Sequence, residues 1–171
     1  ELHRFGNAPV FSGGHAHWDP ARLLQGCATA LALAARRPRP ATSVGVDAWG
    51  VDFGLLDARG RLTAPPQCYR DPDGPAGLAA YASRHSLDAL YRRTGIQVLP
   101  INTLFRLAAM AARADPALAR ARRLLFLPGL IDHQLSGRQL AERTIASTSQ
   151  LLDAHTGTWS ATLLERIGVS T

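Results

Sequence analysis

The chain has 171 residues, 46% of them hydrophobic and 19% charged, and carries a formal charge of +6, which suits one globular domain with a real core and excludes a disordered tail. All 19 basic residues are Arg, a bias that a GC-rich coding background explains, and no aromatics are interleaved with the Arg clusters, so the charge gives no case for a nucleic-acid partner. Two cysteines, Cys27 and Cys68, exclude a disulfide framework, while the longest apolar run, Cys27 to Ala35, is far short of the roughly 20 residues that cross a bilayer, so no membrane partner and a cytoplasmic location are expected.

Leu2 to Phe11 reads as a strand entering a turn at Ser12-Gly13-Gly14. His15 and His17 follow, an H-x-H pair with no third metal ligand near it in sequence. Asp19-Pro20 then offers an N-cap with Pro at the first helical position, opening a helix whose Leu23, Leu24, Cys27, Leu31 and Ala34 share one face and which ends at Arg37-Pro38.

The stretch from Thr42 to Asp71 is the most patterned. Val44, Val46 and Ala48 alternate, the pattern breaks at Trp49-Gly50, and apolar residues resume at Val51, Phe53, Leu55 and Leu56, predicting two β-segments separated by a pinch. Asp57-Ala58-Arg59-Gly60 supplies a turn, so that Arg61 onward returns as a hairpin. A glycine beside an indole has two readings: a bulge next to a core aromatic, or bare backbone against which a ligand such as a sugar lies, with the ring as a wall. Arg70-Asp71-Pro72-Asp73-Gly74-Pro75 is a dense loop signal in which Pro72 pushes Asp71 out of helical geometry. Arg70 and Asp71 form either a surface ion pair or a donor and an acceptor for one sugar hydroxyl.

Helices are expected over Ala76 to Arg84 and over Leu87 to Arg93, the second capped by Ser86 and stopped by Thr94-Gly95. Gln97 to Thr103 is a loop, and Asn102 caps a helix from Leu104 to Ala114 with Leu104, Leu107, Ala108 and Ala111 on its inner side. Leu124 to Leu127 has the continuous apolar character of a buried strand, ended by Pro128 and followed by a short helix, Gly129 to Leu135, closed by Gly137. Ser147-Thr148-Ser149 lead into a strand, and a last helix covers Ala161 to Ile167. No repeat or low-complexity linker divides residues 1–171, which read as a single domain.

The string VGVDAWGVDFGLLDARGRLTAPPQCYRD resembles the segment of FGGY-family sugar kinases in which a strand ends in a substrate-contacting turn, a hairpin follows and an Arg-Asp element closes the site. Three more strings fit in order: His3-Arg4-Phe5 with Asn7 and Trp18-Asp19; Thr94-Gly95-Ile96-Gln97 through Leu99-Pro100 to Asn102-Thr103-Leu104; and Leu135-Ser136-Gly137 with Glu142, Thr144 and the Ala146 to Leu151 run. The resemblance spans nearly the whole chain. It implies an α/β fold, the ribonuclease-H-like (actin-like ATPase) N-terminal lobe of a sugar kinase, truncated at both ends. It also implies ATP-dependent phosphorylation of a ketose with Mg²⁺, L-rhamnulose ahead of xylulose or fuculose; a non-catalytic sugar-binding or interaction module is the alternative.

By the same resemblance, Gly50 approaches the sugar through its backbone, Trp49 walls it, and Arg70, Asp71 and Asn102 bond its hydroxyls, with Thr103 in the same turn. Two departures are visible. Many members carry Asp-x-Arg where this chain has Asp73, and an Asp is expected where Gly129 stands, its nearest replacement being Asp132. No G-x-x-x-x-G-K-[ST] or G-x-G-x-x-G phosphate cradle is present. The resemblance puts the phosphate-binding hairpin before Glu1, and the catalytic Asp and nucleotide-binding lobe beyond Thr171. No catalytic, cofactor-binding or metal residue is therefore assigned, and the segment alone is expected to aggregate or fold only in part.

Overall fold

The computed structural model describes residues 1–39 and 41–169. In chain order its elements are β1 (Val10–Ser12), β2 (His15–His17), α1 (Pro20–Ala35), β3 (Phe53–Leu56), α2 (Asp73–Ala82), α3 (Leu87–Thr94), α4 (Thr103–Ala112), α5 (Pro116–Arg120), β4 (Arg123–Phe126), α6 (Leu127–Ser136), α7 (Arg143–Ser147) and α8 (Ala161–Arg166).

Gly13 and Gly14, with φ of 59° and 82°, turn β1 back onto β2 in an antiparallel pair. The strand expected from Leu2 shrinks to Val10–Ser12, because Gly6 and Pro9 interrupt any ladder before it. Residues 1–9 run without regular structure, and the Phe5 ring lies over Gly26 of α1, where an added Cβ would stand 2.1 Å from Phe5 Cε1. On its other edge β2 meets the arm returning from the central hairpin: Trp18 N–H donates to Pro66 O and Cys68 N–H to Ala16 O, each at 2.8 Å. Asp19 caps α1 as expected, accepting from Arg22 N–H at 3.0 Å. Of the predicted apolar face only Leu23 is buried; Leu24, Cys27, Leu31 and Ala34 remain half-buried.

Of the two β-segments expected around Trp49-Gly50, only the second forms. Val44 to Ala48 has the alternation but no ladder, with Val44 61% exposed, since a strand exists only where another lies alongside. The turn after β3 forms as read, with Gly60 at φ 74° and Asp57 N–H donating to Arg61 O at 2.8 Å. Its return arm touches β3 through one bridge, Leu56 to Leu62. The main partner of β3 is instead β4, antiparallel, with Phe53 opposite Phe126 and Leu55 opposite Leu124. Phe53 and Leu55 join Tyr81, Leu90, Leu104, Phe105, Leu107 and Phe126 in the larger core; Ala16, Trp18, Leu23, Cys68 and Leu127 form a smaller one.

Helix α2 begins at Asp73 rather than Ala76, because the Asp71 carboxylate accepts the Asp73 N–H at 2.9 Å and so starts the helix early. The Gly and Pro residues that look like loop signals have another role there. A Cβ on Gly74 would stand 2.4 Å from Pro100 O, and one on Gly77 only 1.9 Å from Phe105 O; these glycines let α2 lie directly on α4. The polar run 147–149 does not enter a strand either. Ser147, Thr148 and Ser149 hydroxyls donate back to the carbonyls of Thr144, Ile145 and Ala146 at 2.7, 2.7 and 2.6 Å, which keeps the chain in helical turns after α7. No described helix is long and apolar enough to cross a membrane.

Two outcomes follow from these contacts. Gly77→Ala should cost about 1–3 kcal/mol or more, because the obstacle is backbone, and should lower the melting midpoint by several degrees; an unchanged midpoint would mean the helices are not in contact there. Glu142 caps α7, accepting from the Thr144 hydroxyl and from Thr144 and Ile145 N–H at 2.5, 2.9 and 3.0 Å, and these bonds lower its pKa from 4.5 to about 2. A depressed carboxylate stabilises the fold above its unfolded pKa, so the cap should hold at neutral pH and be lost as pH falls from about 4.5 toward 2. An NMR titration of the Glu142 carboxyl carbon checks this; a midpoint at the unperturbed value would mean the cap is absent.

Candidate functional site

After Trp49 the chain makes a very tight bend. Asp52 N–H donates to Gly50 O at 2.8 Å across Val51, whose φ is +63°. A bond from residue i+2 back to i over a positive central φ is the rare, strained form of γ-turn, and a β-branched residue held there costs on the order of 1–3 kcal/mol. The surroundings hold it on both sides. Thr148 Oγ1 accepts from Val51 N–H at 3.0 Å, Thr103 Oγ1 donates to Val51 O at 2.6 Å, and Arg106 Nη2 donates to the same oxygen.

The next residue, Asp52, is fully buried, and so is Arg106. Arg106 Nη1 donates to Asp52 Oδ1 at 2.7 Å and to Gln67 O at 3.0 Å, and the guanidinium sits 5.1 Å from the centroid of the Phe53 ring. Asp52 Oδ2 accepts from two indoles, Trp18 Nε1 at 2.5 Å and Trp49 Nε1 at 2.7 Å, and these rings lie 4.8 Å apart. Burial pushes the Arg106 pKa down, opposed by the charge and hydrogen bond of Asp52; a guanidinium stays protonated regardless. Thr103 and Arg106 share one face of α4 because residues three apart in a helix are neighbours.

The structure brings together only some of the residues expected to touch a ligand. Trp49 and Gly50 adjoin, both half-buried. A Cβ on Gly50 would stand 2.9 Å from Thr148 Oγ1, so on that side the glycine is explained by a threonine packed against it and not by open backbone. Among the described residues the Gly50 N–H makes no hydrogen bond, which leaves it as the group a ligand can reach. Asp71 is buried and occupied: it accepts from Ala16 N–H at 2.7 Å, Asp73 N–H at 2.9 Å and His15 Nδ1 at 3.2 Å. Arg70 is exposed and turned away from it, its guanidinium 5.2 Å from the centre of the Tyr69 ring. The pair expected from the sequence is therefore absent.

Asn102 precedes α4, but its side chain does not cap it. Only 3% exposed, it donates instead to Gln97 O at 2.9 Å and to Gln150 Oε1, while Gln150 Nε2 donates to Thr94 Oγ1 at 2.8 Å. Thr94, Gln97, Asn102 and Gln150, distant in the chain, thus form one internal network beside the turn. Gly129 and Asp132 take no part: Asp132 is exposed on α6.

His15 does find metal-type companions, though not His17. Ligand atoms of His15, Asp71 and Asp73 lie within 4.8 Å of one another. Asp73 Oδ2 already accepts from Arg113 Nη1 at 2.6 Å and Gln67 Nε2 at 2.7 Å, so that oxygen is engaged and the cluster ties β2 to the start of α2. It does not fit Mg²⁺, which needs free oxygen ligands. Cavities of about 280 and about 120 Å³ flank α6 and β3, and none of Trp49, Gly50, Arg70, Asp71 or Asn102 lines either. Trp18 and Thr148 lie in strings that carry the family resemblance, whereas Asp52 and Arg106 were not expected at the site. The available signal was two opposite charges, each inside an apolar run.

Residues 7–171 match the N-terminal domain of the FGGY family of carbohydrate kinases. The chain is 40% identical over 169 residues to a rhamnulokinase of Bacteroides thetaiotaomicron, covering 99% of this chain and 35% of that protein. Its backbone superposes on a gluconate kinase and on a ligand-bound xylulose kinase of Lactobacillus acidophilus, each with a TM-score of 0.87, at 17% and 16% identity and over 34% of each of those chains. The chain thus spans about a third of the length of the relatives it matches, and its α/β fold is the actin-like fold of sugar kinases. The match over residues 7–171 places the chain in the FGGY family of carbohydrate kinases, as an N-terminal domain.

Proposed function

We propose that this chain is the sugar-contacting part of the N-terminal lobe of an ATP-dependent ketose kinase, which transfers a phosphoryl group from ATP to L-rhamnulose to give L-rhamnulose 1-phosphate. The observation that carries this reading is the turn: a half-buried indole, Trp49, beside a glycine whose N–H has no protein partner among the described residues, on a chain that belongs to the FGGY family. The indole supplies an apolar wall and the amide a donor for one hydroxyl. Identity to rhamnulokinases favours L-rhamnulose, and xylulose is the second reading because xylulose kinases share the fold. Trp49 and Gly50 contact the sugar directly; Arg70 closes its outer rim once the rest of the protein is in place. Asp71 and Asn102, bonded internally, serve by shaping the turns on which these contacts sit.

The chain's part in catalysis is to hold the acceptor hydroxyl still, which lowers the barrier by removing its freedom before reaction. On this reading ATP is the co-substrate and Mg²⁺ the metal cofactor, both held by segments outside residues 1–171, where the catalytic base also lies. The protein is cytoplasmic on this reading, without nucleic-acid or membrane partners.

The full-length gene product should phosphorylate L-rhamnulose when given ATP and Mg²⁺. Phosphorylation of xylulose with L-rhamnulose untouched would replace the first reading by the second, and no transfer to any ketose would remove both. Gly50→Ala should raise KM for the ketose by about tenfold or more, since the added methyl meets Thr148 Oγ1 and shifts the backbone that carries the Gly50 N–H. An unchanged ketose KM in Gly50→Ala would mean that this amide makes no sugar contact.

A further inference from the structure

The γ-turn at Val51 is costly; backbone from another segment holds only its last residue, Asp52 O accepting from Leu127 N–H at 3.1 Å, and at Val51 itself side chains distant in sequence do the holding. We infer that Thr103 and Arg106 are positioning residues for the sugar site: acting through the carbonyl of Val51, they keep the Gly50–Asp52 turn formed, so that the Gly50 N–H and the Trp49 ring are already placed when a ketose arrives. This rests on the ketose-kinase reading and adds to it residues that touch no substrate.

Three features of the geometry carry the inference. First, Val51 O takes both donors, Thr103 Oγ1 at 2.6 Å and Arg106 Nη2, both from the first two turns of α4, a helix buried from Thr103 to Leu107. A rigid element therefore sets the carbonyl's direction. Second, the same guanidinium reaches Asp52 Oδ1 at 2.7 Å, and Asp52 Oδ2 holds the Trp49 indole N–H at 2.7 Å. The wall and the turn are thus fixed from one side chain, whose planar fork spans directions that an ammonium cannot. Third, Val51 has φ +63°, a conformation that persists only where the surroundings over-determine it and that marks sites where preorganisation is used. Preorganised contacts improve binding by cutting the ordering cost paid on association.

The test uses full-length protein, with two readouts. Thr103→Val keeps shape and removes the hydroxyl; it should raise KM for the ketose about three- to tenfold, the worth of one hydrogen bond, with kcat and the KM for ATP within about twofold. Thr103→Ser, which restores the hydroxyl, should restore the ketose KM. Hydrogen exchange of the Asp52 N–H, which closes the turn, should quicken by about tenfold in Thr103→Val and not in Thr103→Ser, while amides in β4 keep their protection. Arg106→Lys, which retains a cation for Asp52 but loses the fork, should raise the ketose KM at least as far as Thr103→Val. Unchanged ketose KM in Thr103→Val overturns the inference whatever the exchange shows, and a raised KM with Asp52 exchange unchanged overturns action through the turn. If the wild-type protein phosphorylates no ketose, the functional reading fails by itself; the exchange measurement then decides whether Thr103 holds the turn, and retained protection overturns that as well.

Discussion

Removing a carboxylate and a guanidinium from water costs several kcal/mol per ion even after relaxation, and a bare pair in an apolar interior does not recover it. Asp52 and Arg106 are both fully buried, so their neighbours have to complete the solvation that water would give. Two indole N–H groups, the Gln67 carbonyl and the Val51 carbonyl do so for the carboxylate and for both terminal nitrogens of the guanidinium, while Arg106 Nε is buried without a hydrogen-bond partner among the described residues. Each partner is thereby constrained: Trp18 joins β2 to α1, Gln67 lies on the returning arm, Trp49 and Val51 flank the glycine, and Arg106 comes from α4. The pair ties together segments from across the chain, and the turn that faces the proposed substrate lies at its edge. Removing one member leaves the other charge unpaired, a loss of about 3–5 kcal/mol, so the pair is as much a condition of the fold as of the site.

What could be read from the sequence was what local chemistry decides. The cap at Asp19-Pro20, the Ser86 start and Gly95 stop of α3, the Asp57 to Gly60 turn and the Gly137 stop of α6 all formed as expected, because each rests on one or two residues and their own backbone. The errors lie where a distant partner decides. Alternation at Val44 to Ala48 met no neighbouring strand, and glycines in Asp73 to Gly77 signalled a loop when they serve the approach of α2 to α4. Hydroxyls at 147–149 kept helical turns by bonding backward.

The candidate site shows the same division. Trp49 and Gly50, adjacent in sequence, are adjacent in function on the proposed reading, and a family resemblance located them. Arg70 and Asp71 are also adjacent in sequence, yet one packs on Tyr69 in solvent and the other is locked under His15. Sequence spacing does not reveal which side chain a backbone turn will bury. Asp52 and Arg106 are separated by 54 positions, and no local pattern pairs them. A charge in the middle of an otherwise apolar segment was a sign that a buried partner existed, without naming it.

The likeness to longer sugar kinases gives this arrangement its sense. A chain covering about a third of such relatives has none of the phosphate-binding patterns and needs none if its task is to hold the acceptor. A crystal structure of the full-length protein with L-rhamnulose bound is the most direct measurement. A sugar hydroxyl about 3 Å from the Gly50 nitrogen, the Trp49 ring alongside and Val51 still at positive φ are what the buried pair is predicted to secure. A sugar bound away from Gly50, or a turn that relaxes to negative φ in the complex, would contradict it.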